Sequence, residues 1–200
     1  MTRYRITGTM LVFASLFLVS VAVKTQGRGN SANSNNDNDS SKIQIGFTIA
    51  PVPLNMAGKN PALVGLGSYI VNSQADCAGC HSTPTYAPGG DPHLGQPEQI
   101  SVSSYLSGGG DLFGPFVPRN LTPNAAGRPA NLTLQEFLQV INTGVDLKHR
   151  APFVPSAAND LLQVMPWPLY SKMTDREKVA IYEYLSAIPC LPGTNATRCN

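Results

Sequence analysis

Large apolar residues are spread unevenly along the chain: an almost unbroken run from Met10 to Val23, none that could anchor a core from Lys24 to Lys42, and a regular return from Ile43 onward. The regular part carries helix signals. Asn60-Pro61 is a capping residue followed by a proline suited to the first helical position. Ala62, Leu63, Leu66, Tyr69 and Ile70 then recur at helical spacing. Thr133-Leu-Gln-Glu136 has the capping-box spacing, in which the Thr hydroxyl and Glu carboxylate satisfy reciprocal orphan amides. It predicts a helix with Phe137, Leu138 and Ile141 on one face, ending at Gly144. Thr174-Asp-Arg-Glu177 repeats the device ahead of Val179, Tyr182, Leu185 and Ile188, with Pro189 as the stop.

Between His81 and Arg119 the chain turns to punctuation: Pro84, Pro88-Gly89-Gly90 and Gly108-Gly109-Gly110. This stretch reads as loop, with room for short strands near Ile100–Leu106 and Phe113–Val117. The pattern predicts a mainly α domain of at least three helices joined by long loops, without internal repeats.

The opening run changes the picture of the N-terminus. Arg3 and Arg5 before the apolar block, and small residues at Ser20 and Ala22, predict a signal peptide over residues 1–22. The alternative is an uncleaved membrane anchor, for which the run falls short of the roughly 20 residues a spanning helix needs. Either way the remainder is expected outside the cytoplasm, periplasmic or otherwise extracytoplasmic. Residues 23–42, rich in Asn and Ser, are predicted to be a disordered linker, and 43–200 the folded domain.

Charge excludes one class of partner. Fourteen Lys and Arg against twelve Asp and Glu leave +2, and removing Arg3 and Arg5 leaves twelve against twelve. Nucleic-acid binding rests on clustered cations that neutralise phosphates, so no nucleic acid is expected.

The chemistry centres on Cys77-Ala78-Gly79-Cys80-His81. In an exported chain this spacing reads as covalent attachment of haem c. Two thiols three positions apart can each add across one porphyrin vinyl group, and the imidazole next to them is delivered to the iron. A redox dithiol would need a strand before the motif and a helix starting at the first cysteine. A structural zinc site would need a second close pair of ligands. Cys190 and Cys199 are expected to form a disulfide that closes a short terminal loop and contributes about 2–3 kcal/mol. A sixth iron ligand could come from Met165, His93, His149, Met173 or Met56. Met165-Pro166-Trp167-Pro168 stands out, because its prolines form a rigid turn able to aim a thioether, and a Met opposite a His raises the reduction potential.

These residues resemble those of the class I c-type cytochromes, and more closely the single-haem domains found with bacterial periplasmic dehydrogenases and oxidases. The resemblance is carried by CAGCH, Phe113-Gly-Pro115, Asn120-Leu-Thr-Pro123, TLQEFLQVINTG at 133–144 and MPWPLY at 165–170 running into MTDREKVAIYEYLSAIP. It implies N- and C-terminal helices that cross around one haem, with Gly65 or Gly67 and Tyr69 near Tyr182, Tyr184 and Leu185. It implies Cys77 and Cys80 as thioethers, His81 and Met165 as axial ligands, and a carbonyl of Pro115 or Pro118 receiving the second imidazole N–H. The long Gly/Pro-rich stretch between His81 and Met165 is then an inserted loop over one haem edge. Asn142-Thr143-Gly144 lacks the arginine that related domains often place before that glycine. The implied function is electron transfer without catalytic residues, between a dehydrogenase donor and an oxidase or cytochrome acceptor, with a possible membrane tether through the N-terminus. The alternative is a haem-bearing, electron-accepting subunit of a dehydrogenase or oxidase complex.

Overall fold

The computed structural model describes residues 32–110, 114–147, 161–194 and 197–200. The predicted signal peptide or anchor over 1–22, the first part of the linker, Phe113 and His149 lie outside the described residues. The fold is mainly α. Among the described residues six α-helices follow in the order α1 (Ala32–Ile49), α2 (Pro61–Tyr69), α3 (Cys77–His81), α4 (Leu134–Thr143), α5 (Trp167–Tyr170) and α6 (Asp175–Ala187). Among the described residues no strand forms. An isolated bridge from Tyr86 to Ile100 stands at the start of one of the stretches where a short strand was expected. No described helix is long and apolar enough to cross a membrane.

The capped helices form where the local code places them. Asn60 accepts the Ala62 amide at 3.0 Å and Pro61 opens α2. Both capping boxes close: the Thr133 amide donates to Glu136 at 2.8 Å, and the Thr174 amide to Glu177 at 2.8 Å. Each supplies on the order of 1 kcal/mol by satisfying amides that have no partner in the first turn.

α2 and α6 pack closely because Gly67 has no side chain. A Cβ there would stand 1.9 Å from the Ala180 carbonyl oxygen and 2.8 Å from Tyr184 Cβ. Gly65 faces the other way, toward Ile43 and Phe47 of α1, and Gly46 of α1 comes as close to the Gly65 carbonyl. The two glycines of α2 thus serve two interfaces, and Gly67 is the one toward α6.

Helix α1 is a departure from the expected linker, which was to run to residue 42. Residues from Ala32 onward are helical. Its docked half supplies the reason: Ile43 and Phe47 lie one turn apart against α2, and the Ser68 hydroxyl donates to Gly46 O at 2.6 Å. A helix nucleated by that contact extends backwards at little further cost, since propagation is far easier than nucleation. Asp39 then pairs with Arg176 at 3.3 Å.

The core runs between α2, α4 and α6 and includes Val64, Leu66, Ile70, Val71, Phe137, Val140, Ile141, Ala180, Ile181, Tyr184 and Leu185. The buried face of α6 is shifted from the predicted one: Leu185 and Ile188 are buried as expected, but Val179 and Tyr182 are only half-buried while Ala180, Ile181 and Tyr184 are buried, because α6 is covered by α2 on one side and α4 on the other. On the α4 side the Phe137 and Tyr182 rings lie 5.5 Å apart, and Lys178 donates to Asn142 at 2.7 Å.

Candidate functional site

After Tyr69 the helix widens into a π turn over Ile70–Gln74, with the Ala75 amide reaching back to Ile70 O at 2.9 Å. Such turns carry one residue more than an α turn and re-aim the chain beyond them. Asp76 then adopts φ 45 and caps α3, accepting the Gly79 amide at 3.2 Å. α3 consists of the CAGCH residues themselves, so Cys77, Cys80 and His81 are set by a single capped turn.

The three residues line a cavity of about 670 Å³. This volume lies within the range, roughly 300 to 1,000 Å³, typical of sites for sizeable organic ligands. Leu132, Phe137, Val140 and Ile141 form much of its apolar wall, and Met165 lines it too. His93 and Met173 do not line it, nor does Met56; His93 is exposed on a short 3-10 turn.

Burial pushes the Cys77 thiol up to about 12, with the Asp76 carboxylate and Cys80 acting in the same direction against a backbone hydrogen bond. Burial and Asp76 raise Cys80 as well. Both groups are free thiols. Thiolate redox and metal centres depend on lowered cysteine pKa values, which this environment does not provide. The zinc alternative also loses its second pair, since the sulfurs of Cys190 and Cys199 lie at bonding distance, 2.00 Å, from each other. Among the described residues no group of three or more His, Cys, Asp or Glu side chains could hold a metal ion.

His81 is held from behind. Its Nδ1 lies 2.7 Å from the carbonyl oxygen of Arg119, which can only accept, so Nδ1 carries the proton and Nε2 the lone pair. Burial keeps the imidazole below its usual pKa, helped by the Arg119 guanidinium and opposed by the carbonyl bond. The result is a neutral, oriented imidazole, the form that binds metals. The expected acceptor was Pro115 or Pro118. Pro118 O instead receives the Gly109 amide at 3.0 Å, which turns the next carbonyl, that of Arg119, toward His81.

That placement depends on a close approach of backbones. The Gly108 amide donates to His81 O at 2.8 Å and Leu121 donates to Leu106 O at 2.8 Å, so the 106–109 and 118–121 segments run against each other. Gly108 has φ 74, and a Cβ there would lie 2.5 Å from the Asn120 amide nitrogen. Arg119 also pairs with Asp146 across the cavity wall.

The Met165 side is fixed by two contacts. Gly144 ends α4 at φ 70, and its open face is covered by the Trp167 indole, which a Cβ would meet at 2.2 Å. The Tyr170 hydroxyl donates to Ala75 O at 2.8 Å, joining the MPWPLY segment to the residues just before Cys77. The Tyr170 phenol is raised to about 12 by burial, with Cys77 and Cys80 adding to it.

Sequence reasoning missed the Arg119 carbonyl, the Arg119–Asp146 pair and Arg198, which lines the same cavity from the C-terminal tail. A backbone acceptor leaves no residue-type signal. A cation inside the loop closed by Cys190 and Cys199 was a signal that could have been read. Taken together, the cavity offers two thiols, an oriented imidazole, a thioether and mainly apolar walls, a set able to hold a flat, largely apolar group that contains a metal. No family model matches the chain, and no curated protein or solved structure matches it either.

Proposed function

We propose that this chain is an electron carrier outside the cytoplasm, a c-type cytochrome holding one haem through thioether bonds to Cys77 and Cys80, with His81 and Met165 as axial ligands. The observation that carries the reading is that all four side chains line one cavity while His81 Nδ1 is engaged by the Arg119 carbonyl. Haem, when bound, supplies a one-electron iron couple. The chain's own residues do the rest. His81 is held neutral with one nitrogen available. Met165 offers a neutral sulfur that favours ferrous iron and so a high potential. Leu132, Phe137, Val140 and Ile141 exclude water. The packing of Gly67 of α2 against Ala180 and Tyr184 of α6 agrees with the crossed helices of class I cytochromes.

Val117 is 62 % exposed and Val164 41 % exposed at the cavity. They give the site an apolar rim against which a dehydrogenase donor, or an oxidase or cytochrome acceptor, would dock. A haem-bearing subunit of such a complex would use the same rim. The bonded terminal cysteines fit an oxidising compartment.

Expression of the full chain in a host with haem-attachment machinery, followed by haem staining of a denaturing gel, tests the reading. A stained band is expected, and none for the Cys77→Ala/Cys80→Ala variant. An unstained wild-type band overturns it. Met165→Ala tests the second ligand: its ferric spectrum should lose the Met-ligated form and its potential should fall. An unchanged spectrum and potential would remove Met165 from the iron.

A further inference from the structure

The C-terminal tail carries a buried guanidinium that nothing in the proposed ligation uses. Arg198 is only 9 % exposed and lines the cavity. Its Nη2 donates to the carbonyls of Asn120, at 3.3 Å, and of Thr122. Its Nε has no hydrogen-bond partner among the described residues. An unsatisfied N–H on a buried charged group is costly, and in folded proteins such an orphan usually marks a missing partner.

The tail is built to hold that guanidinium in place. Asn120 Nδ2 donates to Leu191 O at 2.7 Å, the Leu191 amide donates to Thr122 Oγ1 at 3.1 Å, and the Ala125 amide donates to Arg198 O at 3.1 Å. The Cys190–Cys199 bridge closes the loop that contains Arg198 and Thr194, both of which line the cavity. Its other charged groups are committed: Asp76 caps α3, and Arg119 pairs with Asp146. Tyr170 ionises only near 12. Among the described residues Arg198 is thus the cavity cation without a carboxylate.

We propose that the Arg198 guanidinium, on the edge it turns to the cavity, donates to a carboxylate of the group bound there, which under the proposed function is a haem propionate. This rests on that function and adds a second duty for the terminal bridge: it positions a ligand-binding cation as well as pinning the tail. A charge-assisted bond from a fixed guanidinium holds its carboxylate ionised. The positive charge near the iron favours the ferrous state and so raises the potential.

The test is the midpoint potential of the haem-loaded full chain against pH, for wild type, R198Q, R198K and C190S/C199S. In the wild type the carboxylate stays ionised across the ordinary carboxyl range, about pH 4 to 6, and makes no step there. R198Q should have a lower potential and gain a step in which potential falls as pH rises through that range. R198K keeps the charge without the planar guanidinium fork and should lie between the two. C190S/C199S should move in the direction of R198Q by less. Superimposable R198Q and wild-type profiles overturn the proposal and leave the electron-carrier reading intact. Should R198Q fail to accumulate with haem, an R198K profile identical to wild type overturns it equally. A wild-type chain that takes up no haem overturns both readings at the gel, before any titration.

Discussion

The α2–α6 pair and the cavity wall formed by residues 115–121, backed by Gly108, both depend on glycine, for different reasons. In the helical pair Gly67 is an ordinary helical residue whose missing side chain lets two elements meet; each element is already specified by its own caps and apolar spacing. In the wall nothing local specifies the course of the chain. Gly108 supplies a left-handed backbone and a close approach at once, and the reward is one carbonyl, that of Arg119, placed on His81. The helical half thus fixes where the CAGCH turn sits, and the loop half fixes how its imidazole is aimed.

This division can be broken at graded strength, with the haem readouts holding under the proposed function. Gly67→Ala should be the most severe, losing about 3 kcal/mol, because the new Cβ meets backbone that cannot move without parting two helices. Urea unfolding should show the midpoint fall, with haem yield falling alongside. Gly108→Ala should cost about 2 kcal/mol through strain at positive φ and the clash with Asn120. There the helical circular dichroism should be kept while the absorption spectrum of the loaded chain shifts; equal loss of both would merge the two regions into one. Tyr170→Phe removes a half-buried bond to Ala75 worth about 1 kcal/mol and should loosen the Met165 side, read as a weakened Met-ligated band at elevated temperature. Thr174→Ala should be mildest at the site, costing about 1 kcal/mol of unfolding free energy with the spectrum unchanged.

What could be read from the sequence divides along the same line. Asn60, Thr133-Glu136, Thr174-Glu177 and Gly144 act through atoms within a few residues of themselves, so helix starts and stops were legible. That Cys77, Cys80, His81 and Met165 belong together was suggested by their rare side-chain types and restrictive spacing, and the structure brings all four to one cavity. α1 was missed because its upstream Asn/Ser composition outweighed the short signal of Ile43, Gly46 and Phe47, whose helical state depends on docking to α2. The acceptor for His81 was placed on Pro115 or Pro118 and lies on Arg119, since a carbonyl's direction is set by a pairing with Leu106 and Gly109 that no local pattern announces. The buried face of α6 was partly misplaced for a similar reason: which neighbours, α2 and α4, cover it cannot be inferred from the periodicity of α6 alone.

The order of the cavity's parts along the chain has a consequence for assembly. Asp76, Cys77, Cys80 and His81 precede every other residue of its wall, from Pro115 through Met165 to Arg198. Under the proposed function, a chain exported from its N-terminus would present the CAGCH turn while the rest of the pocket has yet to emerge. Under the proposed function, attachment chemistry would meet an open segment, and the Tyr170 bond to Ala75 and the tail carrying Arg198 would come last, closing over a group already in place.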